Sequence, residues 1–392
     1  MSRNARVGPL ATRHHVDAPG LDVDALLDDR ETRIVVCCGS GGVGKTTTSA
    51  ALALRAAERG RRVVVLTIDP ARRLAQSMGI EKLDNTPRPV PGVDESSGGS
   101  LDAMMLDMKR TFDEVVESQA SPEKAKAILE NPFYVALSSS FAGTQEYMAM
   151  EKLGQIHRQA QVDGSYDLIV VDTPPSRSAL DFLDAPERLS SFLDGRFIRL
   201  LLAPARGPAR LMTAGLSVVT NALTKVLGAQ VLRDMQTFVA AFDTLFGGFR
   251  QRAESTFRLL QAEGTAFLVV AAPEPDALRE AAYFVDRLTD DDMPLAGLVV
   301  NRASPRPLTT LSAEEAIAVA DRLRDRDAAS LTAGLLRLHA DRVRIVERET
   351  HLRERFAASH PRVPTAVVPA MAGDVHDLAG LEEIGRLLAT GE

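Results

Sequence analysis

Seven short apolar runs recur along the chain, at residues 33–38, 62–68, 101–107, 166–172, 265–271, 295–301 and 363–369. Most lack the in–out alternation of a half-exposed strand, which is the pattern of strands covered on both faces of a parallel sheet. The stretches between them are rich in Ala, Leu, Arg and Glu with apolar positions at helical spacing. Strand–helix alternation of this kind predicts an α/β fold with a doubly wound, mostly parallel sheet.

Two segments break the rhythm. Residues 108–165 read as three helices, around 110–118, after Ser121 and around 144–161, interrupted by Pro132 and the serines at 138–140. Residues 187–262 carry Leu216, Val219, Leu223 and Val226, then Val231, Met235, Phe238 and Phe242, at three- and four-residue steps. That segment therefore reads as amphipathic helices forming an inserted helical subdomain. Residues 1–30 are expected to be an N-terminal extension, partly disordered, and 31–392 the main domain. The mixture of Arg, His, Asp and Pro in the first twenty residues has no apolar core of a secretory signal, and His14 and His15 read as part of a solvated tail.

Composition narrows the function classes. Asp and Glu total 53 against 46 Lys and Arg, a net charge of −7, which disfavours nucleic-acid binding driven by charge. No run approaches the roughly 18–20 apolar residues that span a bilayer. The only cysteines are the adjacent Cys37 and Cys38. Neighbours in a strand face opposite ways, so they suit neither a disulfide framework nor a zinc site, and a reducing cytoplasmic setting is expected.

The chemistry lies at the end of the first apolar run. Residues 39–46, Gly-Ser-Gly-Gly-Val-Gly-Lys-Thr, match G-x-x-x-x-G-K-[ST], with a strand entering and a helix leaving. Glycines let the backbone N–H groups of Gly41, Gly42, Val43 and Gly44 close around a phosphate at a helix N-terminus. In this motif Lys45 reaches the β- and γ-phosphates of ATP and the Thr46 hydroxyl ligates Mg²⁺. Two strands end in acids that face the same crevice in an open parallel sheet. Asp172 would hold the metal through water, and Asp69 would reach an attacking water or the metal shell.

These residues resemble the ArsA family of SIMIBI P-loop ATPases, which includes the arsenical-pump ATPase and the factor that targets tail-anchored membrane proteins. Residues 39–47 resemble its deviant Walker A, Asp69-Pro70-Ala71-Arg72-Arg73-Leu74 its switch I, and Asp172-Thr173-Pro174-Pro175-Ser176 its switch II. Asn301 resembles its adenine-reading Asn. Residues 368–373, with Pro369 and Met371, resemble the loop covering the adenine. The resemblance implies an ATP-hydrolysing dimer, with Asp69 orienting the water, Thr47 touching the α-phosphate, and switch motions remodelling a helical region that binds an apolar client or membrane partner.

The departures bear on mechanism. The family places a lysine in the loop that crosses to the partner's phosphates, and this chain has Ser40 there. Transition-state cations of this kind are worth about 10³–10⁵ in rate, so a homodimer is expected to turn over slowly unless Arg72 or Arg177 substitutes. A heterodimer with a lysine-bearing paralogue would restore charge to this chain's site, leaving it a weakly active regulatory subunit on its own. No Cys-x-x-C follows Asn301, which excludes a zinc clamp, and the same scarcity excludes a soft-metal thiol cluster and an iron–sulfur centre. A partition or positioning ATPase is disfavoured by the acidic tail at 381–392. The 187–262 helices would form either a client groove or ordinary core.

Overall fold

The computed structural model describes residues 18–69, 73–132, 134–135, 144–174, 248, 251–323 and 330–390. The expectations for residues 1–17, for Pro70 to Arg72, for Pro175 to Arg177 and for most of 187–262 lie outside them.

Eight strands form one sheet: β1 (Ile34–Cys38), β2 (Arg62–Thr67), β3 (Arg88–Pro89), β4 (Ser100–Met105), β5 (Leu168–Asp172), β6 (Thr265–Ala271), β7 (Leu295–Ala303) and β8 (Thr365–Pro369). Their order is β3-β4-β2-β5-β1-β6-β7-β8, parallel except for the two-residue β3. The predicted fold class is thus the observed one. From β1 the chain crosses to β2, beyond β5, on one side, while β6, β7 and β8 follow in order on the other, so β1 is the switch point and a crevice opens at its carboxyl end.

The sheet is buried on both faces, as the unalternating runs require. One face carries Ile34, Val36, Val64, Leu66, Phe267 and Val269 into a core completed by α4 (Met108–Gln119), α6 (Thr144–Asp163) and α7 (Pro275–Asp290). The other carries Val35, Val63, Val65, Leu168 and Leu268 against α2 (Lys45–Glu58) and α10 (Leu378–Thr390). Ala50, Ala51, Ala53, Ala56 and Ala57 give α2 a small-residue surface that lets it lie close to the strands and to α10. Cys37 and Cys38 enter opposite cores, as adjacent strand residues must. Both thiols are wholly buried, and burial pushes each up to about 12.

Several boundaries differ from expectation. The third run ends at Met105 because Asp107 leaves the strand to cap α4, its carboxylate accepting from Arg110 N at 2.9 Å. Among the described residues of 108–165, α4, α5 (Pro122–Leu129) and α6 stand where three helices are expected, with further helical residues at 132 and 134–135, and α4 and α6 are laid against the sheet. Residues 18–30 are part of the fold: Gly20 pairs with Thr365, and α1 (Val23–Asp28) buries Val23 and Leu27 against the α2 face. The remaining helices are α3 (Arg73–Ser77), α8 (Ala313–Leu323) and the long α9 (Ser330–Ser359). Helical residues 251–261 return the chain to the sheet, and Arg252 Nε reaches the buried Glu151 of α6 at 2.9 Å. No helix among the described residues is long and apolar enough to cross a membrane.

Candidate nucleotide site

At the carboxyl end of β1 the chain turns through Gly39 and enters α2 at Lys45. Gly39 has φ +146, and a Cβ there would stand 2.1 Å from the Val270 carbonyl oxygen. Gly44 caps α2 with φ +94, and a Cβ there would stand 2.2 Å from Asn301 Nδ2. Only glycine admits both the backbone angle and the approach.

The loop encloses Lys45, which is 5% exposed. Its Nζ donates to the carbonyls of Gly39 at 3.0 Å and Ser40 at 2.8 Å. Burial lowers its pKa, opposed by the charge of Asp172. Ser40 is itself buried. The loop therefore contributes a single cation, held ready by two carbonyls that a phosphate would replace.

Asp172 ends β5 between Cys37 of β1 and Thr67 of β2, its partners in register. It is fully buried. Burial raises its pKa to about 6 against the opposing influence of Thr46, Thr67 and Lys45. Thr67 Oγ1 donates to Oδ2 at 2.8 Å, whereas Oδ1 has no hydrogen-bond partner among the described residues. A buried carboxylate oxygen left bare near the Thr46 hydroxyl suits a hydrated divalent cation. No group of three His, Cys, Asp or Glu side chains among the described residues could hold a metal unaided. Such a cation would therefore depend on phosphate oxygens as well. Asp69 follows β2, and its N–H donates to Thr67 Oγ1 at 3.2 Å, so one threonine hydroxyl joins the two acids.

A crevice of about 560 Å³ opens above these groups. Its walls include Gly42, Gly44, Lys45, Thr46, Thr47 and Asp69, six residues singled out in the sequence. Others were not singled out as site residues: Arg73, Gln76, Ser77, Thr173, Arg302, Asp374, Val375 and His376. Pro369 and Met371 are not among the walls; the chain reaches the crevice three residues beyond Met371, at Asp374. Gly41, Val43, Asn301 and Asp172 are not among the walls either: Gly41 is exposed outside the crevice, and the other three are buried behind it. Asn301, at the end of β7's paired run, is 6% exposed and turned onto the loop: Nδ2 donates to the Val43 carbonyl at 2.9 Å, and Oδ1 accepts from Arg302 N at 3.0 Å. Arg302 has φ +59, and its Nη1 donates to the Gly42 carbonyl at 2.9 Å.

The chain is similar to known proteins. A family model described as an anion-transporting ATPase matches residues 32–315. ATPase GET3 of Candida glabrata is 27% identical over 289 residues, 72% of this chain and 75% of that protein. An ATPase ASNA1 homolog of Trypanosoma cruzi is 28% identical over 293 residues, 69% and 74% of the two chains. ATPase GET3 of Podospora anserina reaches 32% over a shorter 179 residues, 45% of this chain and 50% of its own.

Proposed function

From the premise that the chain belongs to the anion-transporting ATPase family and is an ATPase, we propose that the crevice at β1 binds Mg-ATP and that its nucleotide state governs binding of an apolar client. The observation that carries the nucleotide assignment is the pairing of a caged Lys45 with a bare Asp172 oxygen beneath the loop. When triphosphate enters, Lys45 leaves the Gly39 and Ser40 carbonyls for the β- and γ-phosphates. Thr46 and Asp172 would hold Mg²⁺, and Thr47 would touch the α-phosphate. Bound Mg²⁺ supplies neutralisation of the charge that develops on the phosphate oxygens. Asp69, tied to Asp172 through Thr67, orients the attacking water. The 368–373 segment leads into the 374–376 wall, where Pro369 and Met371 would support the loop facing the base, and Asn301 would reach the adenine with its remaining amide donor.

The proposed assembly is a cytoplasmic dimer. Ser40 favours a second form of it: a neutral, buried residue cannot lend charge to a partner, so this chain would act as a slow subunit alongside a paralogue that carries a lysine. Steady-state turnover and sedimentation, with the chain alone and mixed with such a paralogue, test both forms. Fast turnover by the chain alone, unchanged in Arg72→Ala and Arg177→Ala, would discard the slow-subunit form. Failure of calorimetry to detect Mg-ADP binding to the wild type would discard the site itself. For the client, the test is nucleotide-dependent retention of a detergent-solubilised single-helix membrane protein.

A further inference from the structure

Asn301 and Arg302 hold two consecutive carbonyls of the phosphate loop, those of Val43 and Gly42 respectively. In a trans peptide, the carbonyl of one residue and the N–H of the next point in opposite directions. Fixing the Gly42 carbonyl therefore fixes the direction of the Val43 N–H, and fixing the Val43 carbonyl does the same for the Gly44 N–H. A donor on a carbonyl also polarises its peptide and strengthens the N–H at the other end, more so when the donor is charged.

The backbone at Arg302 is bent to permit this. Its φ of +59 is one of two positive values at non-glycine residues among those described. The bend falls where the β7–β8 pairing loses register, between Val300 and Ala303. Its N–H is turned back onto Asn301 Oδ1, so the two residues brace each other as well as the loop. A side-chain-bearing residue in this region is disfavoured, and strain of this kind concentrates where geometry serves function. Glycine would adopt the same bend freely but would bring no guanidinium.

We infer that Arg302 is a positioning residue for phosphate binding: its guanidinium, together with the Asn301 amide, fixes and polarises the loop peptides so that the Val43 and Gly44 N–H groups face the phosphate. This rests on the nucleotide assignment proposed for the crevice. It differs from a phosphate-contact role because Arg302 acts through the peptide it holds.

Substitution separates the bend from the donor. Arg302→Gly relieves the backbone and removes the guanidinium; Arg302→Lys keeps a long cationic donor. The measurements are the melting temperature without nucleotide and the calorimetric Kd for Mg-ADP. For Arg302→Gly the expected result is a melting temperature equal to wild type or higher, with Mg-ADP binding about 3- to 10-fold weaker, the scale of one solvent-accessible charged hydrogen bond. Arg302→Lys is expected to recover most of the affinity. Wild-type affinity in Arg302→Gly overturns the inference alone, as does a melting temperature that falls in step with the affinity, which would mark a merely structural role. Absence of Mg-ADP binding to the wild type overturns it together with the nucleotide assignment.

Discussion

Two buried charges sit at opposite ends of the same sheet and are treated in opposite ways. Arg61 precedes β2 at the end remote from the crevice, and its side chain is wholly buried. All three guanidinium nitrogens are engaged: Nε with Asp167 Oδ1 at 2.9 Å, Nη1 with the carbonyls of Leu27 and Asp29, and Nη2 with those of Thr32 and Asp167. This one side chain ties α1, the turn before β1, and the start of β5 together. Asp172 has one oxygen engaged and the other, among the described residues, bare. The first charge is closed and holds the fold; the second is open and waits for something the chain does not supply. Burial cost falls on both, but it is offset within the protein at only one.

The contrast can be broken first at the open end. Lys45→Ala should lower turnover by about 10³-fold or more while the protein stays folded, since a preorganised charge is lost from phosphoryl transfer; coupled phosphate-release kinetics measure this. At the closed end the effect moves from rate to stability. Arg61→Met should cost about 3–5 kcal/mol in urea unfolding, because Asp167 Oδ1 and the Leu27 and Thr32 carbonyls each lose a buried donor while Asp167 Oδ2 keeps Arg30, with turnover per folded molecule unchanged in the cold.

A smaller effect of opposite sign sharpens the comparison. The folded pKa of Asp172 is raised from an ordinary carboxylate value to about 6. Its contribution to stability is therefore fully present below about pH 4 and lost as pH rises through about 6. Asp172→Asn, isosteric and uncharged, should stabilise the nucleotide-free protein by roughly 2–3 kcal/mol at pH 8 and by nearly nothing at pH 4. The same substitution should abolish hydrolysis, so melting curves and turnover are expected to move in opposite directions. A pH profile of wild-type kcat/KM, which reports the free protein, should fall below about pH 6 as Asp172 takes up a proton.

Much of this was legible in the sequence, for physical reasons that also mark where legibility stopped. Strands buried on both faces have no alternation, so their positions could be read directly, and 265–271 coincides with β6 residue for residue. The phosphate loop was legible because its chemistry is local: consecutive residues supply both the glycines and the lysine. Asp107 misled because an acid closing an apolar run looks alike whether it ends a strand or caps a helix. Residues 1–30 look like an extension in sequence because Val23 and Leu27 are too few to show a period. Arg302 was invisible because its role depends on a carbonyl 260 positions away. His376 and Asp374 lie just past the 368–373 motif and have no local signal at all.

The two thiols offer a consequence of a different kind. They are the only ones in the chain, they lie in the central strand, and each is sealed into a separate core. Neither can meet a reagent until the strand parts from its neighbours. Uptake of a maleimide by the unmodified protein thus becomes a clock for rare opening of the sheet, readable by mass and without an engineered label. Mass shifts of one adduct or two would tell whether the layers on either side of β1 loosen separately or together.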